Sequence, residues 1–371
     1  MKVLTVVGTR PEIIRLARVM ARLDATPGIE HVLVHTGQNW DHQLNGVFFD
    51  EMELRPPDYV LDVSTESLGA TLGDVISKIE PVLLAEKPDA FLVLGDTNSA
   101  LSLIMAKRLQ IPTYHMEAGN RCFDENVPEE TNRRLVDHTA DFNLPYTEHA
   151  RRNLLAEGLH PRRILLTGSP MREVLDHYDD KIRASTALDE MGVTAGEYFL
   201  VSAHRQENVD SPQRLALLVD SLNRVAERWS RPVLVSTHPR TRKRMEAEAD
   251  LKGHELVRFH EPFGFMDYNQ LQRQSACVLS DSGTISEEST ILGFPAVTLR
   301  SSIERPEALD TGSITMTDLD ADQVVAGIEF AMKRGRHPEI PKDYSVTNTS
   351  ERVVNFIVST APQHRFWAGL R

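Results

Sequence analysis

Short apolar runs alternate with amphipathic stretches along nearly the whole chain. The runs "KVLTVVG" (2–8), "HVLVHTG" (31–37), "AFLVLGD" (90–96), "PTYHMEA" (112–118), "DFNLPYT" (141–147) and "RILLTG" (163–168) are near-continuously hydrophobic. That reads as strands buried on both faces. Between them lie helical patterns such as "EIIRLARVMARL" (12–23) and "SALSLIMAKRL" (99–109). A second series follows: "YFLVSAH" (198–204), "PVLVSTH" (232–238), "ELVRFHE" (255–261), "ACVLSDS" (276–282), "PAVTLR" (295–300) and "SITMT" (313–317). Strands alternating with helices predict an α/β protein with parallel sheets and crossover helices. The expected architecture is two Rossmann-like domains whose sheets face a cleft. Residues 1–168 form the N-terminal domain and 169–349 the C-terminal one. The helix and tail at 350–371 are expected to cross back to the first domain.

The length of 371 residues agrees with two domains, because single cores stop growing at about 250–300 residues. The 41 Lys+Arg against 54 Asp+Glu give a net charge of -13, which disfavours a broad nucleic-acid surface but not a small anionic ligand held by local arginines. Only Cys122 and Cys277 occur, far apart, which argues against a zinc site or a disulfide framework. No apolar run reaches the roughly 18 residues of a membrane span, and "MKVLTVVGTRPE" reads as a first strand and turn rather than a signal peptide. The expectation is a cytoplasmic protein without membrane or nucleic-acid partners.

Candidate chemistry gathers where each strand ends. Ligands of open α/β sheets bind beyond the carboxyl ends of the strands. There the chain places "GTRPE" (8–12), "TGQN" (36–39), "GDTNS" (95–99), "MEAGNR" (116–121), "AHRQEN" (203–208), "THPR" (237–240) and "SDSGT" (280–284). Turn-forming Gly, Asn and Ser need no function. Arg10, Asp96, Glu117, His204, Arg205 and His238 converging from separate elements do. The stretch "HMEAGNRCFDENVPEETNRR" (115–134) holds five carboxylates and three arginines. Carboxylates crowded there should raise one another's pKa, unless Arg121, Arg133 and Arg134 pair with them; for Glu130 the ion pair is the preferred reading. In "SDSGTISEES", Ser282, Gly283 and Thr284 would offer free backbone N–H groups to a phosphate at a helix start, with ordinary N-capping as the alternative. With no G-x-G-x-x-G after the first strand and no P-loop, a nicotinamide cofactor or a P-loop nucleotide site is not expected. Carboxylates and histidine suit proton transfer.

The ordered set "GTRPE", "TGQ", "GDT", "EAGNR", "PEETNRR", "AHRQEN", "SDSG", "EE" and "ERPEALDTG" resembles the non-hydrolysing UDP-N-acetylglucosamine 2-epimerases, which have a glycosyltransferase-B-like fold. Within that family, "HMEAGNRCFDENVPEETNRRLVDHTAD" and "EPFGFMDYNQLQ" look more like the branch that converts UDP-2-acetamido-2,6-dideoxy-L-talose to UDP-N-acetyl-L-fucosamine for capsule or O-antigen synthesis. The resemblance implies elimination of UDP from C1 and C2, then re-addition after reprotonation on the opposite face, with no redox cofactor or metal. It implies a UDP-sugar substrate and a homodimer. Matched motif by motif, Asp96, Glu117, Glu129 and His204 are the acid/base and supporting groups. Arg10, His238, Ser282 and Gly283 fall on the diphosphate side and Glu288 on the ribose, while Arg121, Arg205, Thr284 and Arg305 complete the substrate contacts.

Departures from the better-known branch are Thr284 for a second glycine, Arg15 for a lysine, "GNRC" for "GLRT", and Asn39 after Gln38 where a histidine serves an allosteric site. Rival readings are the UDP-N-acetylglucosamine/UDP-N-acetylmannosamine epimerase, the hydrolysing epimerase, a glycosyltransferase of the same architecture, and a non-catalytic UDP-sugar sensor. Cys122 reads as a packing residue rather than a reactive thiol, and Trp40 as a loop or core aromatic.

Overall fold

The computed structural model describes residues 1–37, 47–203, 205–237 and 253–370. His204, His238, Arg240, Gln38, Asn39 and Trp40 lie outside the described residues. The chain divides into two compact units, Met1–Asp176 with Lys342–Arg371, and His177–Pro341.

In the first unit, β1 (Lys2–Val7), β2 (Glu30–His35), β3 (Tyr59–Val60), β4 (Ala90–Leu94), β5 (Thr113–Met116) and β6 (Phe142–Leu144) form one parallel sheet in the order β3-β2-β1-β4-β5-β6. The period-two pattern sorts its side chains cleanly. Val3 and Val7 enter one core with Leu16 and Met20, whereas Leu4 and Val6 enter the other with Val75 and Ile79. Two expectations shift. The run 163–168 supplies only a bridge between Ile164 and Asn143, while the unforeseen β3 pairs with the end of β2. Tyr59 and Val60 follow "RPPD", and the two prolines, which cannot donate to a ladder, hide so short an edge strand from pattern reading.

In the second unit, β7 (Phe199–Ser202), β8 (Val233–Ser236), β9 (Val257–His260), β10 (Cys277–Ser280), β11 (Ala296–Thr298) and β12 (Thr315–Met316) form a parallel sheet ordered β12-β11-β10-β7-β8-β9. With strands renumbered from β7, that is the order of the first sheet. In each sheet the chain starts in the middle and reverses once, between β1 and β4 or between β7 and β10. Neighbouring loops diverge at such a reversal, leaving room for a ligand beyond the strand ends. The residues that follow these four strands are Gly8–Arg10, Gly95–Thr97, Ala203–Arg205 and Asp281–Gly283.

The helix Thr349–Thr360 belongs to the first unit, where Val353, Val354 and Ile357 join the core that contains Leu16 and Met20. Ile357 is fully buried. Ile357→Ala should lower the unfolding free energy of that unit by about 2–5 kcal/mol, the range for truncating a buried aliphatic side chain. Urea titration checks this, and an unchanged midpoint would contradict the packing.

Candidate active site

The loop after β1 opens the helix Arg10–Ala25, with proline in its first turn, a position where the missing N–H costs nothing. Glu12 in that turn is fully buried. It accepts from the Gly8 N–H (2.9 Å), the Thr9 hydroxyl (2.8 Å), the Thr97 hydroxyl (3.0 Å) and the Ser99 hydroxyl. Burial raises its carboxyl above the usual range, with the hydroxyls and the N–H pulling the other way. Glu12 therefore fastens the loop carrying Arg10 to the loop carrying Asp96. The Arg10 guanidinium lies 4.1 Å from the Phe48 ring centroid.

Asp96 is held by Arg133, whose Nε and Nη2 reach one carboxylate oxygen at 2.8 and 2.7 Å. Glu117 follows β5, is 8% exposed, and adopts a left-handed backbone with φ 65°. Its carboxylate pairs with the buried Arg15 guanidinium and lies 3.5 Å from the Asn120 amide. Glu129 stands half-buried in the first turn of the helix Glu129–Thr139. Glu130 beside it accepts from the Cys122 N–H (3.2 Å), the Cys122 thiol (3.3 Å) and Arg133 (3.0 Å). Burial works against its charge, but those hydrogen bonds and the Arg133 cation hold its carboxyl below the usual range. At Glu130, mutual crowding is thus not what governs. Arg133 faces Asp96 and Glu130, Arg15 faces Glu117, and for Glu130 the shift is opposite to the one crowding would cause.

Arg121 is placed unlike the expected substrate contact. Its side chain is fully buried, bound to both oxygens of Glu157 (2.8 and 2.7 Å), to Asp137 (2.7 Å) and to the Asn120 carbonyl (2.7 Å). Cys122 is half-buried, and burial raises its thiol, which suits packing rather than nucleophilic chemistry.

In the second unit, Arg205 donates its backbone N–H to the Asp281 carboxylate (3.0 Å), its Nε to the Asp281 carbonyl (2.9 Å) and an Nη to Glu304 (3.1 Å). Glu304 also binds the buried Arg300 at 2.5 Å. Gly283 sits in the turn between β10 and the helix Ile285–Leu292. A Cβ there would come within 2.5 Å of the Glu304 carboxylate, so any larger residue would displace that side chain. Two of the three N–H groups expected to be free have side-chain acceptors, Ser282 donating to the Ser280 hydroxyl (3.0 Å) and Thr284 to the Ser282 hydroxyl (3.4 Å). Arg305 lies 3.3 Å from the buried Glu287, and Glu288 accepts from the Gln272 amide at 2.7 Å. Among the described residues, no group of three or more His, Cys, Asp or Glu is arranged to hold a metal, and no helix is long and apolar enough to cross a membrane. Sequence reasoning did not single out Glu12, Asp137 or Glu304. Only for Glu12 was there a local signal, an acid three residues after a threonine at a helix start.

Residues 21–358 match a family model described as UDP-N-acetylglucosamine 2-epimerase. The chain belongs to this family. It is accordingly an isomerase, a UDP-sugar 2-epimerase. Its structure is similar to that of the UDP-N-acetylglucosamine 2-epimerase from Rickettsia bellii, with 42% identity, 98% of both chains covered and a TM-score of 0.90. It is also similar to the Methanocaldococcus jannaschii UDP-GlcNAc 2-epimerase solved with UDP-GlcNAc and UDP, at 32% identity over 97% of this chain and 100% of that one, TM-score 0.91. The UDP-2,3-diacetamido-2,3-dideoxy-D-glucuronate 2-epimerase of Pseudomonas aeruginosa is 34% identical over 88% of this chain and 90% of its own. A glycotransferase of kitacinnamycin, at 10% identity and TM-score 0.58, shares the fold alone, as a glycosyltransferase-B-like architecture implies.

For this enzyme, Glu130→Gln should destabilise the first unit by about 1.5–3 kcal/mol at neutral pH, the range for a hydrogen-bonded charge. A carboxyl depressed in the folded state stabilises above its unfolded pKa of about 4.3 and loses that contribution as pH falls through its folded value. The gap between wild type and variant should therefore close on acidification below pH ~4. Thermal unfolding across pH checks this; a gap that stays constant would refute the ion-pair role.

Proposed function

We propose that this epimerase inverts C2 of UDP-2-acetamido-2,6-dideoxy-L-talose to give UDP-N-acetyl-L-fucosamine, as a cytoplasmic homodimer serving capsule or O-antigen synthesis. The N-terminal domain (1–168) supplies acid/base groups and the C-terminal domain (169–349) holds UDP. The observation that carries the proton-transfer chemistry is the placement of Asp96 and Glu117 at neighbouring strand ends beside the reversal of the first sheet, each fixed by a guanidinium. The choice of sugar rests on the motifs "HMEAGNRCFDENVPEETNRRLVDHTAD" and "EPFGFMDYNQLQ". The names of the similar enzymes favour a second reading, interconversion of UDP-N-acetylglucosamine and UDP-N-acetylmannosamine.

A base removes the C2 proton, the C1–O bond to UDP breaks, and a C1–C2 double bond forms. An acid then delivers a proton to the opposite face of C2 while the UDP oxygen rejoins C1. Asp96, Glu117, Glu129 and His204 are the groups assigned to these transfers. Arg10, Arg205, His238, Ser282, Gly283, Thr284 and Arg305 are assigned to the diphosphate and sugar, and Glu288 to the ribose. Arg121 acts on the substrate through the loop it braces.

Nuclear magnetic resonance in deuterated water, offering each candidate UDP-sugar without an acceptor, tests the reading. The expected result is deuterium at C2 and an epimeric UDP-sugar, fastest with the 6-deoxy-talose substrate. A glycosyltransferase would exchange nothing, a hydrolysing epimerase would release free sugar, and a sensor would bind UDP without turnover. Asp96→Asn, Glu117→Gln and His204→Asn should each lower turnover by about 10²–10⁴ while UDP still binds. Near-wild-type rates in all three would overturn the assignment.

A further inference from the structure

We propose that Asp137 is the positioning residue for the acid/base groups of this enzyme, although its own carboxylate is sealed from solvent. The proposal rests on the epimerase reading and on Asp96 and Glu117 as its proton-transfer groups.

Asp137 lies on the helix Glu129–Thr139, and its side chain is fully buried. One oxygen faces His115 Nδ1 at 2.8 Å. The Gly119 N–H points at both oxygens, at 3.2 and 3.1 Å, and the buried Arg121 guanidinium meets the second at 2.7 Å. These partners bracket Glu117. His115 is two residues before it, Gly119 two residues after it, and Arg121 closes the turn. Glu117 has φ 65°, a left-handed backbone that is costly for a non-glycine residue and is held by its surroundings, whereas Gly119 takes φ 83° freely. A Cβ on Gly119 would strike the Ala150 carbonyl, so this position takes glycine alone. Asp137 holds the turn through the Gly119 N–H and through His115.

The second arm reaches the neighbouring strand. His115 Nε2 lies 2.8 Å from the Gly95 carbonyl, which can only accept, so Nε2 donates there, and a second bond from Nδ1 to the Asp137 carboxylate takes the doubly protonated ring. Gly95 immediately precedes Asp96. The third arm is the helix itself. Arg133, which grips Asp96, stands one turn before Asp137 on the same face, and Glu129 opens the same helix. One carboxylate thus sets the backbone on either side of Glu117, the carbonyl behind Asp96 and the helix that presents Arg133 and Glu129. An error of about 1 Å in such a frame costs on the order of 10²-fold in rate without touching the reacting atoms.

Asp137→Asn keeps the shape and one acceptor oxygen but turns an amide N–H toward Arg121 and removes the buried negative charge. Steady-state rates are measured with the UDP-2-acetamido sugar that the wild type turns over, in protonated and C2-deuterated form. The folded fraction is counted by UDP titration. Expected is a fall in kcat of about 10- to 100-fold with KM changed less than about threefold. The primary isotope effect should increase, because misplaced groups make proton abstraction slower relative to the other steps. A kcat that falls only as the folded fraction falls, with the isotope effect unchanged, would make Asp137 merely structural and overturn the proposal; so would an unchanged kcat. If Asp137→Asn does not fold, His115→Asn decides. It keeps an N–H toward Asp137 but cannot reach the Gly95 carbonyl, so a larger isotope effect supports the frame and wild-type kinetics defeat it. A wild type that exchanges no C2 hydrogen defeats the epimerase reading, and this proposal with it.

Discussion

Carboxylates collected in the interior of a protein must be answered by cations or hydrogen-bond donors, and most of this enzyme's candidate site follows from that requirement. An isolated buried charge is prohibitively costly, whereas one held by a guanidinium and several N–H or O–H donors is tolerated. Arg15 answers Glu117, Arg133 answers Asp96 and Glu130, and Arg121 answers Asp137 and Glu157. Apart from Arg133–Glu130, which lie three residues apart on one helix, each pairing joins segments well separated in sequence and so fixes the relative position of two loops or a loop and a helix. Glu12 shows the alternative solution. With three hydroxyls and one N–H around it and no cation among those four partners, its carboxyl is pushed toward the neutral form.

The same sheet order in both units gives this compensation its setting. Parallel strands that start in the centre and reverse once leave diverging loops at a single point of each sheet. In the first unit that point holds the loops of Arg10 and Asp96, with Glu117 one strand further on. In the second it holds Arg205 and the Gly283 turn, knitted together through Asp281 and Glu304.

The division between braces and working groups is less visible in the chain. Arg121 and Arg133 are equally basic and twelve residues apart in one charged segment. Yet Arg121 is sealed beneath the loop, while Arg133 grips a carboxylate that remains about a quarter exposed. Glu129 and Glu130 are adjacent, but a helix turns neighbouring side chains about 100° apart. One therefore enters the ion-pair network and the other stays half-buried in the first turn.

Periodicity alone determined the α/β class, most of the two series of strands and the strand ends at which polar residues accumulate, because burial on both sheet faces leaves an unbroken apolar signature in the chain. The ordered motifs determined the family. Tertiary structure alone decided that Glu12, Asp137 and Glu304 are junctions, that Arg121 is a brace, and that Tyr59–Val60 pairs as an edge strand. The physical reason is separation. Strand and helix patterns repeat over a few residues, whereas His115 meets Asp137 across 22 positions and Arg15 meets Glu117 across 102. A local pattern carries the partner of a buried charge only where it lies within a helical turn, as Arg133 does for Glu130; for the distant pairs only the packed fold brings the two together.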